Sequence, residues 1–168
     1  MFNANGYVSE MKSRENFRTC VRHLAEDIPA VMRTLGAEAI AVRGKSGVAV
    51  AHALALLIDI DIAVIRKPGE NSHGSLHEGW GMVRNTEHFN YLIIDDFIST
   101  GETAQQIIGS MVPHTCVGMV CYQDSASDWV LEVRGSLRDR VGYGWNPCPM
   151  YRQLPAVPVF CYVPRPQE

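Results

Sequence analysis

The sequence predicts an α/β fold, a central and mainly parallel sheet with helices on both faces. Short apolar runs at 39–42, 60–65, 92–94 and 116–122 read as strands buried on both sides. Helical patterns lie between them at 48–58 and 104–111. Strand, helix, strand in succession is a βαβ unit. Its right-handed crossover makes neighbouring strands parallel and gathers functional loops at their carboxyl ends.

At 168 residues the chain fits one domain with a substantial core. Its 46% hydrophobic and 20% charged content describe an ordinary globular protein. A net charge of −3 argues against nucleic acid as a general partner, which wants a basic footprint. The longest apolar run, 48–58, is broken by His52 and too short for a bilayer, so no membrane partner is expected. Five scattered cysteines (Cys20, Cys116, Cys121, Cys148, Cys161) contain no Cys-x-x-Cys pair. They indicate neither a disulfide framework nor a zinc site, and a cytoplasmic, reducing setting is expected.

Residues 1–12 carry no clear pattern. From Ser13 the apolar residues fall at helical spacing: Phe17, Val21, Leu24 and Ile28, then Val31, Met32 and Leu35 beyond Pro29. Gly36 suits the helix stop. The strand at 39–42 runs into a loop, Arg43-Gly-Lys-Ser-Gly47, and the nearly all-apolar helix at 48–58 is of the kind that packs on a sheet. The strand at 60–65 ends in Arg66-Lys-Pro-Gly69. Residues 66–85, polar and rich in glycine, read as a mobile lid or an extended hairpin. His73, His77 and Glu78 lack supporting ligands and read as exposed or lid residues rather than a metal cluster. A loop at 123–128, a strand at 129–133 and a basic, polar stretch at 134–140 follow.

The stretch from Tyr91 to Thr103, Tyr-Leu-Ile-Ile-Asp-Asp-Phe-Ile-Ser-Thr-Gly-Glu-Thr, holds the most chemistry. A buried strand ends in two adjacent carboxylates, and a loop of small hydroxyl residues opens onto a helix. N–H groups at a helix start attract phosphate, hydroxyls add donors, and Gly101 lets the backbone approach closely. Paired carboxylates accept hydrogen bonds from sugar hydroxyls or hold a divalent cation. The plainer reading is that Asp96 or Ser99 caps a helix while Asp95 is solvated. A P-loop is also suggested by Gly44-Lys45-Ser46, but the first glycine of that motif falls on Ala39, inside the strand. The phosphate cradle is then missing.

The whole string resembles the phosphoribosyl-pyrophosphate (PRPP) motif of type I phosphoribosyltransferases. Two further strings, Val141-Gly-Tyr-Gly-Trp-Asn146 and Met150-Tyr-Arg-Gln-Leu-Pro155, are similar to the carboxyl-terminal segment of that family's hypoxanthine-guanine enzymes. The resemblance runs from about Leu24 to Val159. It implies a single domain over 1–168, with 66–85 as a flexible lid and a small hood from the chain ends. It also implies a Mg²⁺-dependent pentosyltransferase that moves the 5-phosphoribosyl group from PRPP to a nitrogenous, purine-like base, as in purine salvage. Asp95 and Asp96 would hold the ribose hydroxyls and, with Asn146, the metal. Ser99, Thr100, Gly101, Glu102 and Thr103 would cradle the 5′-phosphate. Arg43, Gly44, Arg66, Lys67, Ser72 and His73 would face pyrophosphate, with Lys67 and Arg152 serving catalysis beside the acids. Tyr122, Gln123, Asp139, Val141 and Trp145 would face the base. In the family the loop matched by Arg43-Gly44 often holds a cis peptide, and homodimers are common.

Several base-reading positions depart from the pattern. Ser99 stands where the hypoxanthine-guanine enzymes carry an acid, and Tyr122 or Gln123 where a purine-reading lysine falls. Asp139 stands near the place of a stacking aromatic, and Asn146 replaces a later acid. The sugar-phosphate machinery is retained while the base-reading machinery has changed. That leaves a second reading from another class, a non-catalytic PRPP or nucleotide sensor that regulates transcription or binds RNA, with which the basic residues Arg134, Arg138, Arg140 and Arg152 are compatible.

Overall fold

A computed structural model describes residues 13–66, 77–80, 88–96, 98, 100–122, 129–140 and 154–165, with the backbone alone at 77–80 and 140. The first helix, α1 (Arg14–Leu35), starts where the Ser13 hydroxyl accepts the Asn16 N–H at 3.3 Å, and stops at Gly36 in the left-handed conformation. It runs on through Pro29, with Ile28 and Val31 buried on either side. Next come β1 (Ala39–Arg43), α2 (Gly44–Ala55), β2 (Asp61–Ile65), β3 (His77–Trp80) and β4 (Asn90–Asp95). The remainder is α3 (Glu102–Ser110), β5 (Thr115–Cys121), β6 (Trp129–Ser136), the short α4 (Leu137–Arg140) and β7 (Pro158–Pro164).

The strands form one seven-stranded sheet in the order β3-β2-β1-β4-β5-β7-β6. The five inner strands are parallel, and β3 and β6 close the two edges antiparallel. Alternation along each strand divides the core into two layers. Ala41, Ile65, Ile93 and Met119 face Ala104 and Ile107 of α3, Met111 just past its end, and Leu137 of α4. Ile40, Val42, Leu92, Ile94 and Val120 face Leu24 and Ile28 of α1 and Val50 and Leu54 of α2. Helices on both faces are therefore as the apolar runs predict.

One detail differs from the sequence reading. No loop separates β1 from α2: the helix begins at Gly44 rather than at Val48 and ends at Ala55. It can start there because Gly47 lets it settle on the sheet, where an added Cβ would meet Val42 Cβ at 3.3 Å and the Ile94 carbonyl oxygen at 3.5 Å. Part of the expected lid, His77–Trp80, pairs antiparallel with β2, the hairpin form of that expectation. The hood expected from the chain ends falls largely on residues outside the described ones; near those ends α1 lies on the sheet and β7 lies within it. Among the described residues, no helix is long and apolar enough to cross a membrane.

Candidate active site

The crossover from β1 through α2 leads to β2 on one side, and that from β4 through α3 leads to β5 on the other. The strand order therefore reverses between β1 and β4. A crevice opens outside the carboxyl ends of strands at such a switch point. Ala41 pairs with Ile93, so continuing the register sets Arg43 across from Asp95. The buried charged residues among the described ones are Arg43 (7% exposed), Asp95 (7%) and Asp96 (6%), and all three lie at this one place. A buried charge is costly unless something completes it.

At the end of β4, one Asp95 carboxylate oxygen accepts the Asp96 N–H at 3.0 Å, and the Asp95 carbonyl accepts the Tyr122 N–H at 3.2 Å. Burial first, and then the neighbouring Asp96 carboxyl, hold Asp95 well above the usual carboxylate range. A cation or a donor hydroxyl entering the crevice would relieve that penalty.

The helix that follows opens on Gly101, buried and left-handed at φ 77°. The Gly101 carbonyl accepts the Gln105 N–H, so the preceding N–H groups have no intrahelical acceptor. Thr100 Oγ1 accepts one of them, from Glu102, at 3.3 Å. Glu102 is exposed, and its carboxylate accepts Gln106 Nε2–H at 2.9 Å one turn along, which draws its charge away from the helix mouth. Thr103 is half-buried, and Ala104 anchors the turn in the core. On the other side, α2 begins at Gly44 (φ 73°) with no side-chain cap and no acid in its first turn. Among the described residues the cis peptide bond is Val112–Pro113, so Arg43–Gly44 is trans. Arg66 is half-buried and follows Ile65, the register partner of Arg43, which puts it at the same edge. Two helix starts, Arg43 at the end of β1, Arg66 after β2 and an acid pair at the end of β4 thus surround one crevice.

Two expected base contacts are corrected. Tyr122 is 2% exposed and belongs to the apolar layer with Leu54 and Ile94, so its ring offers no stacking face to a ligand. Its hydroxyl is buried without a hydrogen-bond partner; Ser46 and Asp96 are its polar company but do not meet bonding geometry. Asp139 lies at the wrong level. Because β6 runs antiparallel, Ser136 sits beside Pro158, level with Gly118 and Leu92 and about 10 Å back from Asp95. There Asp139 accepts the Ser136 hydroxyl at 2.6 Å. Of the arginines offered to RNA, Arg134 pairs with Glu132 at 3.2 Å and Arg138 donates to the Leu154 carbonyl at 2.9 Å. Lys67, Ser72, His73, Ser99, Gln123, Val141, Trp145, Asn146 and Arg152, and the Arg140 side chain, lie outside the described residues.

Sequence reasoning passed over Cys121, which pairs in register with Asp95 on the next strand. The available signal was positional: Cys121 ends its apolar run as Asp95 ends its own.

No family model matches the chain, and no curated protein matches it. Its fold matches solved structures. Orotate phosphoribosyltransferase from Aeropyrum pernix aligns with a TM-score of 0.55 and 14% identity over 96% of this chain and 76% of that one. Adenine phosphoribosyltransferase from Leishmania tarentolae gives 0.52 and 16%, over 90% and 72%. Orotate phosphoribosyltransferase from Francisella tularensis gives 0.51 and 18%, over 72% of this chain and 56% of that one, so the match spans just over half of the Francisella protein. The chain has the type I phosphoribosyltransferase fold.

Proposed function

We propose that this chain transfers the 5-phosphoribosyl group of PRPP to a nitrogenous base and releases pyrophosphate. One observation carries the reading: the buried charged residues of the described chain converge at the sheet's switch point, between two helix starts. Sugar hydroxyls, a 5′-phosphate and a pyrophosphate leaving group are the chemistry that would complete such a place. Asp95 and Asp96 would accept hydrogen bonds from the ribose hydroxyls and offset positive charge growing on the sugar. The α3 start, with Thr100, Gly101 and Thr103, would hold the 5′-phosphate. Arg43, Arg66 and the α2 start at Gly44 would take up charge on the departing pyrophosphate. Fixing both phosphates would align the anomeric carbon with the attacking nitrogen. A purine-like base is supported by the resemblance of the strings at 141–155.

The donor set fits a hard divalent cation, since two adjacent buried carboxylates repel each other until positive charge arrives. Among the described residues no group of three or more His, Cys, Asp or Glu could hold a metal, so substrate oxygens and water would complete the shell. Mg²⁺ held by Asp95 and Asp96 would supply charge to neutralise pyrophosphate.

The test is pyrophosphate release from PRPP and Mg²⁺ against purine, pyrimidine and pyridine bases, with Asp95→Asn/Asp96→Asn as control. Base-dependent release lost in the control supports the transferase and names the base class. PRPP binding without turnover for any base turns the reading toward a sensor. Absence of both binding and turnover defeats it.

A further inference from the structure

We propose that Cys121 and Cys161 are a reversible thiol-oxidation site whose disulfide silences the crevice beside it. The silencing part rests on the function proposed above, whereas the disulfide itself does not.

The placement comes from register. Strands β5 and β7 are parallel neighbours, with Cys121 directly opposite Cys161. Opposed residues on parallel neighbours point to one face, and Cys161 packs against the same apolar layer that contains Cys121. Both are reduced cysteines. Neighbouring strands lie about 4.7–4.9 Å apart, within the roughly 4.4–6.8 Å Cα separation that a disulfide spans. The Cβ atoms must then draw in to about 3.8 Å, so the bridge pulls the strands together and is easily reduced. Such a strained bridge suits a switch better than a staple.

The same rung crosses the acid pair. Cys121 is the register partner of Asp95, and Glu132 of β6 completes the row beyond Cys161. The hydrogen bond from Tyr122 N–H to the Asp95 carbonyl begins at the residue after Cys121. Drawing β5 toward β7 therefore displaces the strand end on which Asp95 leans.

The oxidant is a small disulfide such as glutathione disulfide. Cys161, the half-buried member, meets it first, while Cys121 is 8% exposed. The Cys161 thiolate attacks one sulfur of the small disulfide, forming a mixed disulfide and releasing one thiol. The Cys121 thiolate then attacks the Cys161 sulfur and releases the second. The protein gives up two protons and two electrons, and the oxidant is recovered as two thiols. Cys116 is an internal control: its S–H donates to the Gly118 carbonyl, and burial pushes the thiol up to about 12.

The experiment equilibrates the full chain carrying Cys148→Ser in glutathione buffers of graded potential, followed by peptide mapping and PRPP calorimetry. The expected result is a linked Cys121–Cys161 peptide, reversed by dithiothreitol, with PRPP affinity at least about tenfold weaker when oxidised. Cys161→Ala should abolish both changes. No linked peptide under fully oxidising buffer overturns the proposal. A linked peptide with unchanged PRPP affinity overturns the silencing. If the reduced protein binds no PRPP, the functional reading fails and the silencing falls with it, while the linked peptide still decides the oxidation site.

Discussion

At the amino ends of the inner strands, Glu38, His88, Asn90 and Thr115 are joined to one another, while the Tyr91 hydroxyl is buried without a hydrogen-bond partner. Asn90 accepts the Glu38 N–H at 2.8 Å through its carbonyl, gives its own N–H to the Glu38 carboxylate at 3.4 Å, and donates from its side chain to the Gly36 carbonyl at 3.2 Å. His88 and Thr115 are joined at 2.8 Å. At the carboxyl ends, Arg43, Asp95 and Asp96 are buried, Asp95 is held toward its neutral form, and the Tyr122 hydroxyl has no partner. The amino ends are tied by uncharged contacts and one exposed carboxylate, whereas the carboxyl ends hold the buried charged residues of the described chain. Stability and function are thus divided between opposite ends of the same strands.

The hardest blow to this contrast is the double change Asp95→Asn/Asp96→Asn. It should lower pyrophosphate release by about a thousandfold, in line with the loss of preorganised charge at a transition state. The same variant should not melt below wild type in the absence of ligand, because it removes a costly buried acid pair. A drop in both would mean that the acids serve the fold.

Next in size is a pH effect. The folded-state pKa of Asp95 lies above its unfolded value of about 3.9, so its contribution to stability is present below that pH. It is lost as pH rises through the elevated folded value. Wild type should therefore lose ground to Asp95→Asn in melting temperature across that window, and added PRPP with Mg²⁺ should narrow the gap. Parallel curves would remove the claim that burial holds the Asp95 carboxyl above the usual range.

At the amino end, Asn90→Ala should cost about 1 kcal/mol, roughly 2–4 °C in melting temperature, and leave kcat/KM unchanged. The smallest effect should come from Tyr122→Phe. Deleting an unpartnered buried hydroxyl should raise stability by about 1 kcal/mol or leave it level. Calorimetric melting of both variants side by side checks the pair: Asn90→Ala should melt below wild type and Tyr122→Phe should not.

Much of this was legible before any coordinates. Leu92 to Ile94 announced a doubly buried strand because nothing polar interrupts it, and the acids after it marked a carboxyl edge. Ser13 and Gly36 bounded α1 because caps are local chemistry. Gly44-Lys-Ser read as a loop because its polar residues hide a helix start that only packing of Gly47 on Val42 makes plain. Asp139 was misplaced because strand direction is a property of pairing, not of spacing along the chain, and β6 runs opposite to its neighbours. Tyr122 was misread for a similar reason, since alternation decides which face a side chain takes and a motif does not. The burial of Arg43, which gives the crevice its character, had no local signature at all.

The position of β7 has a consequence for the order in which the protein can be finished. Strand β6 is synthesised before β7, yet β7 is its neighbour in the sheet, and the hydroxyl of Tyr162 on β7 reaches back across 135 positions to Asp27 on α1. As the chain emerges from the ribosome, β6 must wait with nothing in the sheet to join until β7 slots between it and β5. The first helix and that strand then lock in the same event, so this fold becomes committed only once β7 has joined the sheet.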